Sequence, residues 1–135
     1  MATLKLEIVT PEAKIYSEDV DQVTLPGIEG ELGIYPMHIP LMTQVTAGEV
    51  TARKGGQEYH LAVGDGFVEI TGERVAILTD MAIQSDDIDE AKADEARKRA
   101  ELRLKEKLSD EETATVQAAL AHSLAQLNVK RRQRR

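Results

Sequence analysis

Three histidines, one run of carboxylates, two glycine pairs and a basic end are the residues of this chain whose chemistry could make a site. His38, His60 and His122 lie far apart, and none is spaced with a second histidine or carboxylate as a metal pattern such as HExxH requires. They read as surface or capping residues, and no metal is assigned. Ser85-Asp86-Asp87-Ile88-Asp89-Glu90 gathers carboxylates, but a calcium loop needs alternating oxygen ligands, a central glycine and a glutamate at its twelfth position. Lacking both the glycine and the spacing, the run reads as the acidic start of a helix, where the helix dipole favours negative charge. Gly55-Gly56 and Gly64-Asp65-Gly66 precede neither a helix nor the Lys-Ser/Thr of a phosphate loop. Ser17, Ser85, Ser109 and Ser123 are the only serines, and none sits on a strand-to-helix elbow. With no cysteine, thiolate nucleophiles, zinc-thiolate sites and disulfides are excluded, which fits a reducing compartment. No catalytic residue is assigned, and the chain is not expected to be an enzyme.

Two stretches are left. Lys130-Arg131-Arg132-Gln133-Arg134-Arg135 reads either as a solubilising helix end that complements the dipole or as an electrostatic probe that pairs with carboxylates. Glu29 to Pro40 brackets Glu31 and Leu32 between Gly30 and Gly33, and Met37-His38-Ile39 between Pro36 and Pro40 just after Tyr35. So many backbone constraints predict a stiff surface loop presenting Glu31.

Charge sets the class of partner. Of 135 residues, residues 1 to 84 carry 5 basic and 13 acidic side chains, residues 85 to 129 carry 7 and 11, and residues 130 to 135 carry 5 and none. The acidic body repels phosphates, and with no Trp, one Phe and three Tyr there is no stacking platform, so nucleic acid is not expected as a partner. The apolar runs are short and the N-terminus has no signal-like apolar region, so the chain is expected to be soluble rather than membrane-inserted.

The elements that must position these residues follow from periodicity. Between Thr3 and about Asp80 apolar residues alternate, as in Leu4, Leu6 and Ile8, the pattern of strands with one buried face. A second strand region is expected from Ala13 to Leu25, kinked at Ser17-Glu18-Asp19 and closed by Pro26-Gly27. Paired Gly55-Gly56 predicts a hairpin, and Gly64-Asp65-Gly66 and Gly72-Glu73 predict turns. Short strands punctuated by glycine argue for an antiparallel β-sandwich or flattened barrel. Residues 85 to 135 contain neither Gly nor Pro and are filled with strong helix formers. A first helix is expected from Ile88 to Leu108, capped by Asp87 and Glu90, with Ala96, Ala100, Leu104 and Leu108 on one face. A second is expected from Ser109, whose side chain and that of Glu112 make a capping box, to about Val129, with Val116, Leu120, Leu124 and Leu127 on one face. The fold is therefore α+β, with a β-sandwich over 1–84 and an antiparallel two-helix hairpin over 85–135. Alanines 114, 118, 121 and 125 make a seam that buries little area, so the hairpin should be marginal alone, able to dock on the sandwich or elsewhere.

Gly30-Glu31-Leu32-Gly33-Ile34-Tyr35-Pro36-x-His38-x-Pro40-Leu41, the opening Leu6-x-Ile8-Val9-Thr10-Pro11-Glu12, the turn Gly64-x-Gly66-Phe67 and the helix start Ile88-Asp89-Glu90-Ala91 together resemble the epsilon subunits of bacterial rotary F-type ATP synthases, over the whole chain. The resemblance implies a non-catalytic central-stalk subunit, peripheral to the cytoplasmic face of the inner membrane through its complex. It would link the gamma subunit to the c-subunit ring of a proton-translocating motor. The resemblance implies that Glu31, Leu32 and Gly33 face the c ring and that His38, Met42 and Thr43 face gamma. It also implies that the helices inhibit ATP hydrolysis when extended between the alpha and beta subunits, Arg131, Arg132, Arg134 and Arg135 meeting an acidic segment of beta. Some such subunits bind ATP through Ile/Leu-Asp-x-x-Arg-Ala. Here the motif reads Ile88-Asp89-Glu90-Ala91-Lys92-Ala93, with Arg99 following, and a flexible ammonium does not reproduce the planar guanidinium fork. ATP is thus expected as a weak regulatory ligand or not at all, and no other cofactor is expected. The competing readings are a stand-alone sandwich adaptor for an acidic protein and, more remotely, an enzyme scaffolded on the sandwich.

Overall fold

The computed structural model describes residues 2–133. Ten strands precede two helices: β1 Leu4–Val9, β2 Lys14–Val20, β3 Gln22–Gly27, β4 Gly30–Ile34, β5 Leu41–Val45, β6 Gly48–Lys54, β7 Gln57–Val63, β8 Gly66–Ile70, β9 Arg74–Thr79 and β10 Ala82–Gln84, then a 3-10 turn Ser85–Asp87, α1 Glu90–Arg103 and α2 Asp110–Gln133. This is the expected β-sandwich followed by a helical hairpin. The strands form one continuous curled sheet in the order β10-β7-β6-β3-β5-β8-β9-β1-β2, with β4 paired to β3. Alternation fills its interior: Leu4, Leu6 and Ile8 of β1, Val23 and Leu25 of β3, Val50 and Ala52 of β6, and Val75 and Ile77 of β9 are all buried in one cluster. All ladders are antiparallel except that of β1 with β9, where Leu6 opposes Val75 and Ile8 opposes Ile77, so both strands turn the same phase inward.

Three local expectations change. Glu29 to Pro40 is not loop throughout: Gly30–Ile34 is a strand, because Leu32 and Ile34 oppose Leu25 and Val23 and bury the same phase. Gly27 pairs with Gly30 across the two-residue turn Ile28-Glu29, and Gly30, just after the turn, holds a φ of 129° that is open to glycine. Pro26-Gly27 accordingly lies within β3 instead of closing it. The irregularity of the first hairpin is not at Ser17-Glu18-Asp19; Ile8 opposes Tyr16 while Val9 opposes Lys14, which leaves Ile15 as the extra residue of a bulge.

The second helix begins as its sequence dictates. The Glu112 amide donates to Ser109 Oγ at 3.1 Å and the Ser109 amide to Glu112 Oε1 at 3.3 Å, the two halves of a capping box. The first helix is shorter than expected at both ends. Its cap is Asp89, whose Oδ1 accepts from the Lys92 amide at 3.1 Å, because Ser85–Asp87 is spent on a 3-10 turn and Ile88 is extended and buried. It stops at Arg103, where the Lys105 and Glu106 amides close tight turns onto Leu102 and Arg103.

The hairpin lies on the sandwich. Ala125 and Val129 of α2 pack with Ile88, Ala62 of β7 and, at the margin, Met81 and Ile83. Ala125, expected in the seam between the helices, serves the helix-to-sheet contact. Leu124, expected on the buried face, is 40% exposed, while Ser123, Leu127 and Val116 are buried. Covered by α1 on one side and by β6 and β7 on another, α2 buries two stripes rather than one.

Candidate functional site

Four regions carry the residues singled out above. At the β3–β4 hairpin, Glu31 and Gly33 are exposed while Leu32 packs on the core, so only the carboxylate and the glycine backbone face outward. Glu31 opposes Pro26 and Gly33 opposes Thr24; β4 pairs only with β3, so this is an edge of the sheet.

From β4 the chain crosses to β5 over Tyr35 to Pro40. The Met37 amide donates to the Gly72 carbonyl at 2.7 Å, tying this crossing to the β8–β9 turn, and Met37 holds a φ of 68°, rare for a residue with a side chain. Met37 and Ile39 are about 80% exposed (82% and 80%), and Tyr35, Met42, Phe67 and Leu78 are all more than half exposed. Phe67 of β8 opposes both Gln44 of β5 and Leu78 of β9, so Phe67 and Leu78 adjoin on the outer face, with Met42 diagonal to Phe67. The result is a set of exposed apolar side chains running from the crossing over three strands, with Gln44 and Glu69 interleaved on the same face. His38 is half-buried with its Nδ1 2.6 Å from the Ile39 carbonyl, and lies in the crossing; Met42 lies on the outer face. Thr43 alternates to the other phase of β5, beside Val45, which separates it from Met42. The sequence assigned no contact to Tyr35, Met37, Ile39, Phe67 or Leu78, although Tyr35 and Phe67 stand in its motifs. The legible signal was Phe67 and Leu78 standing on the outward phase of strands whose inward phase is Val68, Ile70, Val75 and Ile77.

At the start of α1, Ile88 is buried and Asp89 caps the helix, so neither presents a free group; Lys92 and Arg99, two turns apart, are exposed. The depression beside them is lined by Asp89, Glu90 and Asp94, with Arg131 as its cation. Hydrogen bonds from Arg97 and then Lys98 hold the Asp94 carboxyl below the usual range, keeping it charged. Three carboxylates around one guanidinium disfavour a triphosphate.

The end of α2 is tied down residue by residue. Lys130 Nζ donates to the Ser85 carbonyl at 3.0 Å, Arg131 Nε to Glu90 at 3.2 Å with Asp94 at 3.8 Å, and Gln133 Nε2 to Asp86 at 2.7 Å. Arg132 pairs with Glu49 of β6, beside a polar cleft of about 510 Å3. Both arginines assigned to the basic tip within α2 are thus paired inside the chain; Arg134 and Arg135 lie outside the described residues. Midway along α2, His122 Nε2 meets Asp80 Oδ1 at 3.1 Å. Among the described residues no group of three or more His, Cys, Asp or Glu could hold a metal ion, and no helix is long and apolar enough to cross a membrane.

The profile of the ATP synthase delta/epsilon chain β-sandwich domain matches residues 3–85, and that of the ATP synthase delta/epsilon chain long α-helix domain matches residues 86–131. The chain belongs to the ATP synthase delta/epsilon family. Within this family it is similar to the ATP synthase epsilon chain of Dehalococcoides mccartyi, 45% identical over all of this chain and 97% of that one. It is also similar to the epsilon chain of Laribacter hongkongensis, 40% identical over 94% of this chain and 92% of that one. A chain in the mitochondrial ATP synthase structure of Euglena gracilis shares the family's fold at a TM-score of 0.77 and 22% identity, over 93% of this chain and 79% of its own.

Proposed function

We propose that this chain is the non-catalytic epsilon subunit of the central stalk of a proton-translocating ATP synthase, peripheral to the cytoplasmic face of the inner membrane. Its sandwich would join gamma to the c ring, and its hairpin would restrain ATP hydrolysis by reaching the alpha and beta subunits. The observation that carries this reading is the set of exposed apolar side chains at Met42, Phe67, Leu78 and the Tyr35–Ile39 crossing. A chain similar end to end to epsilon chains needs a dry patch for gamma, and a rigid sheet presents one at little entropic cost. Glu31 sits apart on the β4 edge, which suits a polar contact to the loops of the c ring. ATP would be at most a weak regulatory ligand of the α1 start, because Asp89, Glu90 and Asp94 surround its one guanidinium. The reading is tested by reconstitution with alpha, beta and gamma. The subunit should co-purify with them, and removing residues 85 to 135 should raise ATP hydrolysis while leaving gamma binding intact. A sandwich that fails to bind gamma would refute it.

A further inference from the structure

Glu49 stands between Arg132 of α2 and His60 of β7. Its Oε1 is held by Arg132 from α2, whereas its Oε2 is buried and has no hydrogen-bond partner. A buried carboxylate oxygen left unsatisfied is uncommon and costly. The group nearest to supplying a donor is His60 of β7, whose Nδ1 is 3.5 Å from that oxygen and 3.2 Å from Thr51 Oγ1.

We propose that Glu49, set between His60 and Arg132, makes the end of α2 a proton-sensitive latch that loosens when His60 is protonated. In the neutral ring carrying its proton on Nε2, Nδ1 accepts from the Thr51 hydroxyl and leaves Oε2 unpartnered. The protonated ring turns Nδ1 into a donor, satisfies Oε2 and neutralises Glu49 from the sheet side. Arg132 then loses part of its attraction and gains a cationic neighbour. Linkage requires this sign: docking α2 brings a cation toward His60, so protonating His60 must weaken docking by the same factor.

The other charged groups around His60 do not reverse this. Glu58, 3.9 Å from Nε2, is on His60's own strand and is paired with Arg53 of β6. Asp86 lies in the 3-10 turn across the cleft. Arg53, Glu58 and Tyr59 belong to the sandwich strands, and Asp86 is the one of these groups with a partner on α2, the neutral side chain of Gln133. The opposing influence is His122, whose protonation strengthens its pair with Asp80 and holds α2 down.

The inference rests on the reading that the hairpin can leave the sandwich. With no native cysteine, spin labels can be placed at Glu73→Cys and Asn128→Cys of the full chain, both exposed, and their separation followed from about pH 8 to about pH 5.5, where an imidazole titrates. In a His122→Gln background the ratio of docked to open hairpin should fall roughly two- to fivefold on acidification, the range of exposed charge pairs. Adding His60→Gln should abolish the fall. Adding Arg132→Gln should lower docking at every pH and also flatten the response. A fall that persists unchanged in the His60→Gln chain overturns the latch alone. A hairpin that stays docked at all pH and salt overturns both the latch and the reading beneath it.

Discussion

His122 and Asp80 meet directly over the α-carbon of Gly64: a Cβ at that position would lie 2.0 Å from Asp80 Oδ1 and 2.7 Å from His122 Nε2. The bare backbone of the β7–β8 turn is thus what lets the middle of α2 reach the sandwich. Gly66, two residues on, faces backbone instead, where a Cβ would lie 1.9 Å from the Leu78 carbonyl oxygen. Gly64→Ala should therefore displace two side chains, speeding amide exchange in α2 and leaving the sandwich intact. Gly66→Ala should strain the β8–β9 ladder and lower global stability by about 1–3 kcal/mol in denaturant titration. Equal loss of sandwich stability in both variants would contradict this division.

Phe67 and Leu78 adjoin on the outer face and contribute nothing to the interior. Phe67→Ser should change stability by less than about 0.5 kcal/mol, as other surface substitutions do. Its effect should appear in association, with affinity for gamma falling more than about fivefold in a binding titration, since aromatic anchors carry much of an interface's energy. A variant that binds gamma normally would move the contact off this face.

Glu31 is exposed on the β4 edge and is not required by the hairpin that carries it. Glu31→Lys should fold as the parent does, by thermal melting, and should weaken binding to a purified c ring. Unchanged binding would remove Glu31 from that contact.

How far the sequence could be read depended on the range over which each feature is decided. The Ser109/Glu112 capping box is settled within four residues, and it formed as the spacing dictated. The cap of α1 was not so decided, because Asp87 and Asp89 both offer a carboxylate; burial of Ile88 between them and the sandwich chose Asp89. Gly30, Gly33 and Pro36 disguised β4 as loop, although the inward phase of Leu32 and Ile34 was there to be counted. The parallel β1–β9 ladder, the Phe67–Leu78 adjacency and the pairing of Arg131 and Arg132 depend on register or docking between segments far apart in sequence. Composition alone carries none of that.

The same capping box predicts a pH dependence. Hydrogen bonding by Ser109, through its side chain and then its backbone amide, holds the Glu112 carboxyl below its ordinary range, with Arg103 adding to the effect. A carboxyl whose pKa is lower folded than unfolded stabilises the fold above its unfolded value, and that contribution disappears as pH falls through the lowered folded value. The first turn of α2 should thus fray in acid, below the ordinary glutamate range, and amide exchange at Thr113 and Ala114 should report it. Glu112→Gln should remove the pH dependence, while Ser109→Ala should cost about 1 kcal/mol of helix stability at neutral pH.

The basic tip makes two demands that pull in opposite directions. Arg132 holds the hairpin on the sandwich through Glu49 and Arg131 closes α2 onto α1 through Glu90 and Asp94, yet the same guanidinium groups would have to meet an acidic segment of beta when the hairpin is extended. Truncation after Asn128 removes them together with Val129, which is buried against Ile88 and Ala62, so it disturbs packing as well as charge. The double variant Arg131→Ala, Arg132→Ala keeps Val129 and separates the two roles. In the isolated chain it should open the hairpin, seen as faster exchange in residues 121 to 130. In the assembled enzyme it should inhibit hydrolysis less than the parent, despite releasing the hairpin more readily, because the freed helix has lost the cations that would hold it on beta. Stronger inhibition by this variant would make Arg131 and Arg132 a restraint only, and would place the braking contact elsewhere on the helices.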